Sequence, residues 1–113
     1  MTDRPITLDR METSANFLAD SDIECAEARA DHARAEFKAK SVRNTLLKDP
    51  NLKGSIPDRQ ATVETDQIYL DAKAEEFQAF FEYEKLKNRR STAAIIIDTW
   101  RSLNAGRRSG QIM

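Results

Sequence analysis

Apolar residues return along this chain at helical spacing, and two long stretches carry them. From Asp58 to Asn104 there is no Gly or Pro, and a stripe recurs every seven residues: Ala72, Ala79, Leu86, Ala93 and Trp100. Tyr69, Tyr83 and Ile97 flank it, and a second stripe, Val63, Leu70, Phe77 and Phe81, lies elsewhere on the same surface. Two stripes on one helix predict two packing partners. Read as unbroken, residues 58–104 form a helix of roughly 70 Å. Upstream, Ile23, Ala26, Ala30, Ala33 and Phe37 recur at spacings of three and four. That heptad seam, continued weakly by Asn44 and Leu47, belongs to a first helix reaching to about Lys48.

The two stretches are separated at 49–57, where Pro50, Gly54 and Pro57 fall within nine residues. Pro50 disfavours helix at Asp49, Gly54 permits a positive φ, and Pro57 suits the first turn of the next helix. Ser21-Asp22-Ile23-Glu24 reads as a capping box that starts the first helix. Thr7 to Leu18 forms either a short separate helix, with Leu8, Met11, Ala15 and Leu18 on one face, or part of one continuous helix through Asp20-Ser21. The expected organisation is an N-terminal segment over 1–20 (short helix or partly disordered), a helical hairpin over 21–105 turning at 49–57, and a flexible basic tail over 106–113. The fold class is all-α, an antiparallel, coiled-coil-like hairpin of long helices. The longer arm leaves apolar surface at its C-terminal half, so self-association is expected through Ala72, Ala79, Tyr83, Leu86, Ala93, Ile97 and Trp100.

Composition narrows the class without changing it. At 113 residues, with 33% charged and 7% aromatic residues and three glycines, the chain suits long helices and excludes sandwiches, barrels and dinucleotide-binding units. One cysteine, Cys25, excludes an internal disulfide and fits a cytoplasmic setting. The longest apolar run, Ala93 to Ile97, is far below a membrane span. There is no phosphate-cradling Gly loop, no nucleophile elbow and no Cys-x-x-Cys motif. His32, read onto the polar side of the first helix, has no zinc-pattern neighbour, and the acids between Glu64 and Glu84 read as a solvated face. No catalytic residue, cofactor or metal is expected.

Charge divides the chain. Lys85 to Met113 holds seven basic residues and one acid, a balance of +6, while residues 1–84 hold eleven basic and eighteen acidic residues, a balance of −7. Arg89, Arg90, Arg101, Arg107 and Arg108 surround Trp100, and guanidinium forks with an aromatic platform are what single-stranded nucleic acid requires. Lys53 and Arg59, flanking the turn, are further phosphate candidates. The acidic body and basic end also permit head-to-tail contact between copies.

The layout of Lys53-Gly54, Arg59, Tyr69 and Ala72, followed by Asn88-Arg89-Arg90, Ile97 and Trp100-Arg101-Ser102, resembles small helical proteins of bacteriophage early or recombination regions. Over residues 21–105 it is similar to the recombination mediators of T-even phages. The resemblance implies an oligomeric helical protein, in the host cytoplasm, that binds single-stranded DNA and helps load a RecA-like recombinase, with Lys53 and Arg59 at DNA-contacting positions. The favoured expectation is a non-enzymatic accessory protein of phage-type DNA recombination or replication. The rival is a helical protein-interaction module, such as an inhibitor of a host or defence protein (anti-CRISPR type included), or an assembly scaffold.

Overall fold

The computed structural model describes residues 6–112, with side chains as far as Arg107. Three helices follow in order: α1 (Leu8–Leu47), α2 (Ile56–Glu64) and α3 (Gln67–Ile112), with no strand among the described residues. The expected all-α class and antiparallel pairing of the two long helices are what the chain forms. The chain divides into two compact units. The first combines the described parts of Met1–Cys25 and Lys85–Met113, and the second is Ala26–Glu84.

Helix α1 starts earlier than the capping box suggests. Thr7 is its N-cap: Oγ1 accepts from the Arg10 amide at 3.1 Å, and its carbonyl takes the Met11 amide at 2.9 Å. Ser21, expected at a helix start, sits mid-helix instead and turns its hydroxyl back onto the Phe17 carbonyl. The first 20 residues are therefore part of one continuous helix from Leu8 onward. At the other end, 3₁₀-type bonds from Lys48 to Thr45 and from Asp49 to Leu46 tighten the last turn. The Asp49 carboxylate then accepts from the Asn51 amide, and Gly54 takes φ 108°. A Cβ there would lie 3.0 Å from that of Asp58, so conformation and space both favour glycine. Ser55 caps α2, accepting from the Asp58 amide at 3.3 Å.

The uninterrupted helix expected over 58–104 is broken at Thr65-Asp66. Thr65 returns its hydroxyl to α2 carbonyls, 3.1 Å from Ala61 and 3.0 Å from Thr62. Asp66 then restarts the helix, its carboxylate accepting from the Ile68 amide at 2.8 Å and its carbonyl from Leu70 at 2.9 Å. No Gly or Pro is needed, because short polar side chains offer the backbone alternative partners. Helix α3 then runs through Gly106 to Ile112, so the stretch expected as a tail is helical up to that residue. Met113 lies outside the described residues.

Packing in each unit uses small side chains. In the first unit, Ser14 and Ser21 of α1 are buried with Leu86 and Ala93 of α3. In the second, Ala39 of α1, Val63 of α2 and Ala72 of α3 are buried, with Ala28, His32, Ala35 and Val42 half-buried along α1. The inner face of α1 is thus not the Ile23–Phe37 stripe. Ile23 and Phe37 are each 72% exposed, and Ala26 and Ala33 are exposed as well. The five buried apolar residues are mostly alanines, whereas eleven large apolar side chains are exposed. Burying a large side chain contributes about 1.5–3 kcal/mol, and an alanine far less. Leu86 is therefore a disproportionate part of the core.

Two outcomes follow for stability. Leu86→Ala lowers unfolding free energy by about 2–4 kcal/mol in urea titrations followed by circular dichroism, whereas Phe77→Ala, on an exposed face, stays within about 0.5 kcal/mol of wild type. Asp66→Ala removes the α3 cap and costs about 1 kcal/mol in the same measurement.

Candidate binding surfaces

The basic half of α3 separates into two kinds of arginine. Arg90 points inward: Nη1 donates to the Leu18 carbonyl at 2.8 Å and to Ser21 Oγ at 2.7 Å, and Nη2 to Asp22 at 3.3 Å. Ser21 bridges the set, since it donates to Phe17 and accepts from Arg90. With most of its side chain covered, this arginine joins α3 to α1 within the first unit. Its neighbour Arg89 is exposed, with its guanidinium 5.0 Å from the Phe17 ring centroid. Arg101 is exposed and 3.9 Å from Asp98 in the same helix, and Arg107 is exposed. The side chain of Arg108 lies outside the described residues. Trp100 is half-buried.

At the turn, Lys53 is exposed, but Arg59 is not a free phosphate ligand. It is half-buried and donates Nη2 to the Leu47 carbonyl at 3.4 Å, closing the C-terminus of α1. The nucleic-acid candidates that the structure leaves on the surface are therefore Lys53, Arg89, Arg101 and Arg107. Those on α3 share their unit with acids of α1. Residues 1–25 carry two basic and six acidic residues, a balance of −4. Asp9, Glu12, Asp20, Asp22 and Glu24 are all exposed. The +6 read from the C-terminal segment is offset to +2 by sequence within the unit. A groove of about 430 Å³ in this unit is lined by Thr13, Phe17, Asn88, Arg89, Thr92 and Ile96, among others. It sets an aromatic ring beside a guanidinium and amide and hydroxyl groups.

Of the residues expected at a self-association surface, Ala72, Leu86 and Ala93 are buried inside the single chain. Ala79, Tyr83, Ile97 and Trp100 are half-buried. The sevenfold stripe is thus the inner face of α3.

The opposite face of α3 in the second unit carries the large apolar side chains. Phe77, Phe80 and Phe81 are 60%, 46% and 56% exposed, and Ile68 and Leu70 are exposed N-terminal to them. The sequence marked Leu70, Phe77 and Phe81 as a second stripe but not Phe80, which lies off that line. Acids surround these rings. Glu75 accepts from Lys38 at 2.8 Å and Glu64 from Arg43 at 3.2 Å, both linking to α1. Glu76 is held at 3.0 Å by Lys73. The hydrogen bond to Glu76 raises the Lys73 pKa above its usual value, against a smaller opposing effect of burial. The ammonium also lies 5.0 Å from the Phe77 ring.

His32, expected on the polar side of α1, is half-buried, with its ring 5.2 Å from that of Phe80. Its nitrogens and the carboxylates of Glu36 and Glu76 lie within 4.8 Å of one another. The signal for this cluster was in the sequence as His32 and Glu36, four residues apart on one helix. The third member required knowing which face of α3 meets α1. No helix among the described residues is long and apolar enough to cross a membrane. In comparisons with protein families, curated proteins and solved structures, the chain matches none.

Replacing Arg90 tests its assignment to the fold. Arg90→Ala leaves Ser21 and the Leu18 carbonyl without their donor and costs about 1.5–3 kcal/mol by chemical denaturation, whereas Arg101→Ala, in an exposed pair, changes stability by less than about 0.5 kcal/mol.

Proposed function

We propose that this chain is a non-enzymatic helical protein-interaction module that presents the aromatic face of α3 to a protein partner. The observation that carries this reading is the inversion of side-chain size. Alanines and serines fill the helix contacts, while Phe77, Phe80 and Phe81 stand exposed within five residues. A monomer working alone gains nothing from that placement, whereas rings held on a rigid helix are preorganised anchors. Burying three such rings contributes roughly 5–9 kcal/mol before the cost of association. The anchors therefore need a polar rim. Asp71, Glu75 and Glu82 lie on the same stretch of α3, which fits a partner with an apolar groove edged by basic residues. The phage recombination setting rests on the resemblance in layout, and there the partner is a protein of that machinery.

A second reading, binding of single-stranded nucleic acid, is favoured by a separate observation: the groove where Arg89 overlies Phe17, with Arg101 and Arg107 exposed further along α3. It requires a phosphate chain to pass the exposed acids of α1.

One set of variants separates the two. Phe77→Ser, Phe80→Ser and Phe81→Ser combined retains the wild-type melting curve and abolishes a stoichiometric complex recovered by affinity capture and sized by light scattering. A complex that survives this change overturns the aromatic-face reading. Anisotropy with a labelled oligonucleotide covers the alternative. Binding that weakens steeply with salt, is lost in Arg89→Ala/Arg107→Ala and is unaffected by the phenylalanine changes establishes the nucleic-acid reading instead. Mass doubling of the wild type alone identifies a second copy as the occupant.

A further inference from the structure

We propose that His32, Glu36 and Glu76 form a binding site for a divalent transition metal, zinc foremost, that clips α1 to α3 within the second unit. The inference is independent of what binds the aromatic face.

Three features converge. His32 and Glu36 are one helical turn apart on α1, the spacing at which two side chains chelate one ion. Glu76 completes the set from α3, and all three ligand atoms lie within 4.8 Å of one another. Tetrahedral ligands at ~2.1 Å from a zinc ion sit roughly 3.4 Å apart. Side-chain rotations that move the ligand atoms by an ångström or so therefore close the set without moving either helix. The second feature is the state of His32. Its ring is half-buried against Phe80, and among the described residues neither nitrogen has a hydrogen-bond partner. A polar ring placed at a helix contact with its bonding capacity unused is costly unless a ligand uses it. The third is electrostatic. Two carboxylates meet here, and Lys73 supplies the positive charge, 3.0 Å from Glu76. The raised pKa of Lys73, to which the charge of Glu36 also contributes, shows that the cluster favours a cation.

One imidazole nitrogen and two carboxylate oxygens select zinc, cobalt or nickel over magnesium or calcium, which prefer oxygen ligands alone. Three protein ligands leave a fourth position for water. Binding releases the Lys73 ammonium from Glu76, so lysine and metal compete for the same carboxylate. Because the ligands come from two helices, the ion binds the folded arrangement only and stabilises it.

Titration of the full-length chain, free of any histidine tag, with zinc chloride tests the site by calorimetry, with cobalt as the spectroscopic probe. The expected result is one ion per chain, visible cobalt absorption of a tetrahedral site, a higher melting temperature with zinc and no competition from excess magnesium. Outer-shell changes alone shift metal affinity by about 10–100-fold, so loss of a ligand in His32→Ala weakens zinc binding by at least about tenfold. Glu36→Gln gives a loss in the same direction and guards against a folding defect in the histidine variant. Lys73→Met tightens binding. Absence of zinc binding at millimolar concentration overturns the proposal, as does wild-type affinity in both His32→Ala and Glu36→Gln.

Discussion

In both units α1 and α3 meet through side chains no larger than a serine or an alanine at the most buried α1 positions, Ser14, Ser21 and Ala39. This sets the terms for everything else. Small residues let helix backbones approach closely, so the gain comes from many short-range contacts and not from a thick hydrophobic core. Leu86 and Val63 are the only larger side chains that are buried. Such a contact holds two helices side by side, but it leaves no interior into which phenylalanines could be folded. The aromatic side chains of α3 in the second unit are outside because the inside has no room for them.

That same constraint decides which parts of the fold were legible in the sequence. Helicity followed from the scarcity of Gly and Pro, and the inner face of α3 followed from a sevenfold repeat that includes Leu86 and Trp100. The inner face of α1 did not follow, because the eye for apolar residues selects Ile23 and Phe37. The true face, through Ser14, Ser21, Ala28, Ala35 and Val42, is nearly as polar as its surroundings. The Thr65-Asp66 break was hidden for a related reason. Short polar residues end and restart helices through their own hydrogen bonds, a signal weaker in sequence than proline. The groups expected to bind nucleic acid could be listed from the sequence, but their division into structural and exposed members could not. Arg89 and Arg90 are adjacent and differ only in which way the helix turns them.

The charge division acquires a different meaning once the antiparallel pairing is known. The basic half of α3 shares a unit with the acidic start of α1, so part of the +6 is spent within the molecule, with Arg90 the clearest case. Exposed pairs of this kind contribute little each. Arg90, mostly covered and satisfied by a carbonyl and a hydroxyl, is of another class.

An alanine-rich contact also has a problem of register. Sliding one helix by a heptad places small residues against small residues again at modest cost, so apolar packing alone specifies the alignment weakly. Polar groups remove that degeneracy, since a shifted register leaves them unpaired. In the first unit, Arg90 with Leu18 and Ser21 performs this task. In the second, Lys38 with Glu75 and Arg43 with Glu64 contribute from the edges, and His32 faces Glu76 at the contact itself. The edge pairs are individually weak because they are exposed. The half-buried His32 cluster is the place in that unit where a single added cation changes the alignment energy most. A helix pair with so little apolar core relies on such polar positions for its specificity, and its large apolar groups are left available for another molecule.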